Sequence, residues 1–591
     1  MPGNQEAQMP GYRKIILIMT DTQRWDMCGC YRDTGLQTPC IDRLAAAGVR
    51  FDRAYTTQPV CQPARAAIFT GQYPHSCASW ANSMGISDNA LTIGQRLSDN
   101  GAHTAYIGKW HLDGGDYFGT GRCPRGWDAA YWYDMRNYLE EIPGDMRLIS
   151  RTTSYMQDNE FPAEFTFGRR CSDRAVKFLK SHGAEDFFLT VSYDEPHHPY
   201  MCPKPYCDMY RGYRFPKSPN VYDTLADKPD YQRVWAGRSL YEDKGALTME
   251  MQYFFGCNAF VDGEIGRVAD AAARYAPDAL IIYTSDHGDF MHSHSLSGKG
   301  PAAYDEITRI PLIFAGAGAY GEAGGTYGGT GTREKTGGIA GANGAADAIK
   351  SAGNHADAGS GAYANASANA GRLPRGAVCA RPVSHISIAP TVMKLMGYGI
   401  PKTMEGADIA ALLTNPVQPA GRQNTARSAR SADSADCPEP AASDCGDNAP
   451  VRADNCVFIE FGRYEVDHDT FGGFQPMRAV FDGRHKLSVN LLSGDELYDL
   501  DSDPHEMVNR IADPACAGIR NALHDRLLEH MNDTRDPFRG YYWERRPWRT
   551  DARDASWSIG KTRQREEDER YEKRQLDYST GLEMTDAVRE K

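Results

Sequence analysis

The sequence predicts an α/β protein: a large, mostly parallel sheet flanked by helices on both faces, then a smaller C-terminal α+β domain built on an antiparallel sheet. Two observations carry this. Short, continuous apolar runs of the kind buried on both faces alternate with helical stretches through the N-terminal part of the chain. After about residue 454 the pattern changes to short strands separated by turn signals, followed by helices to about 535.

The elements follow in order. "KIILIMTD" (14–21) is a buried strand ending at an aspartate. "TPCIDRLAAAGV" (38–49) is a helix with Thr38 as N-cap, Pro39 at the first helical position and Gly48 as its stop. "NALTIGQRLSDNG" (89–101) is a second helix, closed by Gly101. "HTAYIGKWH", "EDFFLTVSYDEPHHP" and "PDALIIYTSDHGD" are further strands, each running into polar residues. Residues 315 to about 376 are Gly/Ala-rich without periodicity, the composition of a disordered insertion that cannot bury enough apolar surface to offset its ordering entropy. A second low-complexity stretch, 415–453, reads as a linker. The expected organisation is a catalytic domain over 12–414, the linker, a C-terminal subdomain over 454–545 and a charged tail over 546–591. "PFRGYYWERRPWR" (537–549) is aromatic and basic, a candidate arm on this subunit or on the neighbouring one of a homo-oligomer.

A chain of 591 residues has room for more than one core. Its net charge of −13 argues against nucleic acid and acidic membrane surfaces as partners, so an anionic substrate needs a local cluster of cations. The only early apolar run, Ile15 to Met19, is too short for a signal-peptide core or a membrane span. The 15 cysteines are odd in number and scattered, so reduced thiols in a cytoplasm are expected.

The strand ends gather the chemistry, as open α/β sheets bind ligands beyond the carboxyl ends of their strands. Four apolar runs end in Asp21, in Lys109 and His111, in His197 and His198, and in Asp286 and His287. Asp21, Asp286 and His287 suit a divalent cation. Arg65, Lys109 and Lys299 can hold a tetrahedral oxyanion, and His111 and His197 can move protons near neutral pH. Together these are the parts of sulfuryl or phosphoryl transfer. Cys61 precedes Pro63 and "ARAAIFTG", which sets it at or before a helix N-terminus with Arg65 close by. Three residues separate Cys61 from Arg65, where a tyrosine-phosphatase loop needs five, so that thiol chemistry is excluded.

"CQPARAAIFTG" resembles the Cys-x-Pro-x-Arg signature of the formylglycine-dependent sulfatases, in the alkaline-phosphatase-like superfamily. "MTDTQRWD", "IGKWHLDG", "SYDEPHHP", "YTSDHGDFMHSHSLSGKG", "YDEITRIPLIFAG", "VSHISIAPTVMKLMG" and "DELYDLDSDPHEMVN" follow that family's order. The match looks closest to predicted cytoplasmic bacterial sulfatases and spans roughly residues 12–535 outside the two low-complexity stretches.

The resemblance implies that a maturation enzyme oxidises Cys61 to formylglycine, whose hydrate attacks the sulfur of a sulfate ester. His197 would protonate the leaving alcohol, and His111 would help release sulfate. Arg65 would steady the diol, and Lys109 and Lys299 would hold the sulfate oxygens. Asp21, Asp286, His287 and Cys61 would bind one divalent metal, with Thr22 or Gln23 adding an oxygen. The family pattern has Asp-Asp and Asp-Asn where this chain has Asp21-Thr22 and Asp286-His287. Ca2+ is the expected ion, but the added imidazole softens the site, which weakens the case for Ca2+ and admits Mn2+ as the alternative. Ser387 stands where the family carries an aspartate and is read as structural. The implied substrate is a small sulfated carbohydrate, such as an N-acetylglucosamine sulfate. Its hydroxyls would be read by Asp113, Asp194, Glu195, Glu460, Arg463, His468 and Arg478. The alternative is a phosphonate monoester hydrolase or phosphodiesterase of the same superfamily, which also uses an Asp-His pair.

Overall fold

The computed structural model describes residues 11–114, 116–324, 373–417, 455–465, 473–551 and short stretches at 562–564, 576, 581–582 and 587–589. The main sheet comprises β1 (Lys14–Thr20), β2 (Gly48–Phe51), β4 (His103–Gly108), β5 (Phe187–Ser192), β6 (Leu280–Ser285), β8 (Leu312–Gly316) and β9 (Ala377–Cys379), in the order β4-β5-β1-β6-β8-β2-β9. β4, β5, β1 and β6 are parallel to one another, while β8 runs antiparallel to both its neighbours. A small sheet joins β3 (Ala54–Tyr55), β7 (Arg309–Ile310) and β10 (Val383–Ser384).

The side-chain alternation of β1 explains its unbroken apolar run. Ile16 and Ile18 enter one core, against the helices Pro39–Ala47, Phe167–His182, Gln252–Tyr275 and Ala317–Gly324. Ile15, Leu17 and Met19 enter the opposite core, with the helices Cys61–Thr70, Ile93–Asp99 and Ile388–Leu395. Burial of both faces leaves the strand's ends as the places where polar residues can work. The helix starts also follow the sequence. Thr92 accepts from the Gln95 amide while the Gln95 side chain returns to Thr92, a reciprocal cap. Pro39 occupies the first helical position and Gly48 the stop.

The C-terminal subdomain is an antiparallel sheet of β11 (Val457–Phe461), β12 (Met477–Phe481), β13 (His485–Asn490) and β14 (Glu496–Asp499), in sequence order. The helix Ala517–Asp533 packs on it through Leu523, Leu527 and Met531.

Three expectations are corrected. The chain beyond residue 315 first completes β8 and then forms the helix Ala317–Gly324, whose Ala317 and Tyr320 are buried, so the insertion begins later. Its remainder, 325–372, and most of the linker lie outside the described residues. The subdomain extends past 545: Arg546 pairs with Asp495, the Trp548 indole donates to Asp495, and Trp543 is buried. The aromatic and basic stretch therefore packs on its own subunit. Cysteines from Cys28 to Cys379 carry free thiols, but Cys516 is disulfide-bonded, against the expectation of reduced thiols throughout. Among the described residues no helix is long and apolar enough to cross a membrane.

Candidate active site

The carboxyl ends of β1, β4, β5 and β6 converge on the start of the helix Cys61–Thr70. Asp21 follows β1, Lys109 follows β4, Asp194 stands two residues beyond β5, and Asp286-His287 follow β6. Cys61 is the first residue of its helix and completely buried, so its side chain sits at the positive end of the helix dipole. Two residues past strand ends adopt left-handed backbone: Thr22 at φ +65° and His111 at φ +56°. This conformation is costly for a β-branched threonine and persists only where surrounding contacts enforce it. Here the Thr22 amide donates to Asp286 and its hydroxyl donates to Asp21.

The Cys61 sulfur is the hub. It lies 2.7 Å from Lys299 Nζ, 3.2 Å from His287 Nε2 and 3.6 Å from Asp21 Oδ1. Burial and Asp21 push the thiol pKa up, but Lys299, Lys109 and a hydrogen bond with His197 outweigh them and bring it down to about 7. Asp21 also faces burial, yet Lys109, His197, Arg65 and Lys299 hold it well below the usual carboxylate range. Burial and the neighbouring Asp21 raise Asp286 to about 7.

The ligand atoms of Asp21, Cys61, Asp286 and His287 all lie within 4.8 Å of one another. His287 Nε2 is 3.8 Å from Asp21 Oδ1 and 3.6 Å from Asp286 Oδ1. Donors about 2.0–2.4 Å from a shared ion are separated by roughly this much, so the set fits one divalent cation. His287 Nδ1 faces the Gly288 carbonyl at 2.9 Å, which leaves Nε2 for the ion. Thr22 lies at the site, but Gln23 does not serve it: its amide donates to Asn258 and its oxygen accepts from Thr20 and Tyr283.

The cationic residues are held in place by the same carboxylates. Arg65 donates to Asp21, to Asp286, to the Lys109 carbonyl and to the Ser192 hydroxyl. The guanidinium therefore sets the two carboxylates. Lys109 Nζ reaches Asp21 at 2.8 Å, Asp194 at 2.9 Å and the Tyr117 hydroxyl at 2.8 Å. His197 Nδ1 donates to its neighbour's carbonyl, on His198, at 2.7 Å, while Nε2 faces Asp21 Oδ1 at 4.0 Å. His111 is buried, and burial, Lys109 and Arg65 keep it far below the usual histidine range, hence neutral.

A cleft of about 490 Å³ opens onto this cluster, lined by Thr22, His197, His198, Tyr200, Asp289 and Lys299, with Tyr464 and Glu465 contributed by the C-terminal subdomain. Several expected substrate contacts fall elsewhere. Asp194 is buried as the partner of Lys109 and Tyr117. Glu195 turns away from the cleft, accepts from the Gly168 amide and is raised to about 8 by burial and by Asp194. Glu460 binds His75, and Arg478 is committed to Asp536 and two backbone carbonyls. Asp113 is exposed and accepts from Thr120, and Arg463 does not line the cleft. His468 lies outside the described residues. Ser387 is buried beside the start of the helix Ile388–Leu395. Tyr117, Ser192, Asp289, Tyr464 and Glu465 were not singled out from sequence. Tyr117 lies three residues past the quoted "IGKWHLDG", and Tyr464 follows the end of β11, so extending the strand-end rule to the second domain finds the latter.

The fold is that of an alkaline-phosphatase-like hydrolase, with a buried cysteine at a helix start beside four residues that could hold a cation. A sulfatase family model matches residues 13–347. The chain is 38% identical over 579 residues to the uncharacterized sulfatase YidJ of Escherichia coli K12, covering 96% of each. The chain belongs to the sulfatase family and is a sulfuric ester hydrolase. The fold is shared with a structure solved with its substrate D-glucosamine-2-N,6-O-disulfate (TM-score 0.60, 19% identity, 90% of this chain and 99% of that one). It is shared too with the phosphonate monoester hydrolase of Agrobacterium radiobacter (TM-score 0.62, 18% identity, 88% and 96%).

Proposed function

We propose that the protein removes sulfate from a small sulfated carbohydrate in the cytoplasm, using a formylglycine made from Cys61 by a maturation enzyme and one divalent metal. The observation that carries this is the Cys61 sulfur at the centre of Lys299, His287 and Asp21, on a helix N-terminus and in contact with Lys299, which lines the cleft. Asp21, Asp286, His287 and position 61 would hold the metal. The hydrated aldehyde would supply a geminal diol as nucleophile, which none of the twenty side chains provides, and the metal would add positive charge against the sulfate oxygens.

The chain's own residues divide the remaining work. Lys299 Nζ lies 2.7 Å from the sulfur of position 61, close enough to present its charge to an oxygen of the bound sulfate group. Lys109, fixed by Asp194 and Tyr117, presents its charge to a sulfate oxygen in place of its bond to Asp21. His197 stands at the cleft wall with Nδ1–H directed to a carbonyl, so an imidazolium there points Nε2–H at a leaving oxygen. His111 is kept neutral by burial and by Lys109 and Arg65, so a part for it in sulfate release requires the negative charge of the bound sulfate group to offset those cations. Two histidines in contrasting surroundings support an acid and a base role. The carbohydrate reading is supported by a polar and aromatic cleft wall, Tyr200, Asp289, Tyr464 and Glu465, and by the glucosamine disulfate bound by the fold relative.

A second reading, a phosphonate monoester hydrolase or phosphodiesterase, is favoured by one observation: the imidazole of His287 within 3.2 Å of Cys61. Matured enzyme assayed on an aryl sulfate and an aryl phosphonate, each with Ca2+ and with Mn2+, separates the two. The proposal expects the higher kcat/KM on the sulfate, and a preference for the phosphonate with both metals would overturn it.

A further inference from the structure

A second set of metal-binding side chains lies at the opposite end of the sheet. His103 begins β4, six residues before Lys109 and so about 20 Å from the catalytic end at strand rise. His182 is the last residue of the helix Phe167–His182, and Glu185 lies in the turn between that helix and β5. One ligand atom from each of the three lies within 4.8 Å of the others. Glu185 Oε2 is 3.0 Å from His182 Nδ1 and 3.8 Å from His103 Nδ1. Tetrahedral zinc about 2.0–2.1 Å from its ligands separates them by roughly 3.4 Å, a value between these two distances.

The outer ring nitrogens supply an independent observation. His103 Nε2 faces the Asp128 carboxylate at 2.9 Å, and His182 Nε2 faces the Tyr131 hydroxyl at 2.7 Å. With the ring protons on Nε2 and donated to those oxygens, both Nδ1 lone pairs turn toward Glu185. An imidazole that gives its second N–H to a carboxylate or other oxygen is the usual arrangement of a metal-ligating histidine. The two rings meet edge to face, 4.8 Å between centroids, and Phe178 packs on both, which limits their rotation. A simple helix-end ion pair between His182 and Glu185 requires neither His103 nor the matched orientation of both outer nitrogens.

The geometry points to a second metal site of the zinc type, with His103 Nδ1, His182 Nδ1 and Glu185 as protein ligands and a water completing the tetrahedron. It would join the start of β4 to the helix–β5 turn, bracing the end of the sheet remote from catalysis.

The test is equilibrium dialysis of the full-length protein against micromolar Zn2+ at pH 7.5, with bound metal counted by plasma mass spectrometry. His182→Ala and Glu185→Gln are compared with wild type, the second retaining the shape of the side chain. The expected result is one fewer zinc per chain in His182→Ala and at least about tenfold weaker binding of that equivalent in Glu185→Gln, with kcat/KM for sulfate release unchanged in both. Equal zinc occupancy of wild type and both variants across the titration would overturn the site.

Discussion

At the scale of single residues, the proposed acid and base roles rest on surroundings. His197 and His111 are the same side chain. One lines the cleft with its Nδ1–H tied to a carbonyl, and the other is buried beside Lys109 and Arg65 and held neutral. His197→Ala is expected to lower kcat about 10²–10⁴-fold on alkyl sulfates, whose leaving groups need a proton, and much less on activated aryl sulfates. Steady-state kinetics on both substrates check this, and equal losses would remove His197 from the acid role. Asp194 acts through Lys109: Asp194→Asn is expected to reduce activity while leaving the catalytic metal bound, which metal analysis of the purified variant reads directly.

At the scale of elements, the site depends on how strands end. Gly108 closes β4 at φ +123°, and a Cβ there would stand 1.9 Å from the Ser192 carbonyl oxygen of the neighbouring strand. Gly108→Ala is expected to destabilise the protein by ~3 kcal/mol or more, seen as a lowered denaturant midpoint, because both the backbone angle and the space forbid a methyl group. Such strand ends were readable in the sequence for a physical reason. Burial of both faces forces an unbroken apolar run, so the first polar residues after it mark the ligand-binding edge. Cys61, Lys109, His197, Asp286 and His287 were all found that way or through the spacing of the cysteine motif. Glu460 and Arg478 were misread because a polar residue near a site and one inside a buried ion pair look alike in sequence, and Glu195 because nothing in sequence shows that it turns to the Gly168 amide. The partner that settles Arg478 is Asp536, 58 positions away. The 24-residue helix Gln252–Tyr275 also escaped notice, since its many buried faces leave no clean stripe of apolar residues.

At the scale of the whole molecule, a buried polar network fastens the C-terminal subdomain to the catalytic domain and so sets Tyr464 and Glu465 at the cleft. His75 bonds Glu460 of β11 through its backbone amide and its ring, and Arg478 of β12 joins Glu460 to Asp536. Burial alone would lower the His75 pKa, but Glu460 outweighs it and raises the imidazole to about 8. A histidine raised from about 6.5 contributes stability that is complete below that pH and is lost as pH rises through about 8, worth ~2 kcal/mol. Denaturant titrations from pH 6 to pH 9 should therefore show stability falling over that window in wild type, and a flatter profile in His75→Gln. A drop of the same size in both would assign the pH dependence to other groups. The aromatic stretch 541–549 belongs to the same assembly. Trp543→Ala, which empties a fully buried position, is expected to cost ~3–5 kcal/mol in a urea unfolding transition.

All of these roles converge on position 61, and one measurement tests it most directly. Protein purified from its native host is digested, and the peptide spanning Cys61 is weighed by mass spectrometry alongside a sulfate-release assay of the same sample. The expected result is an aldehyde at position 61 in the active protein, and loss of both aldehyde and activity in Cys61→Ala. Full sulfatase activity from a sample whose Cys61 is entirely an unmodified thiol would contradict the account.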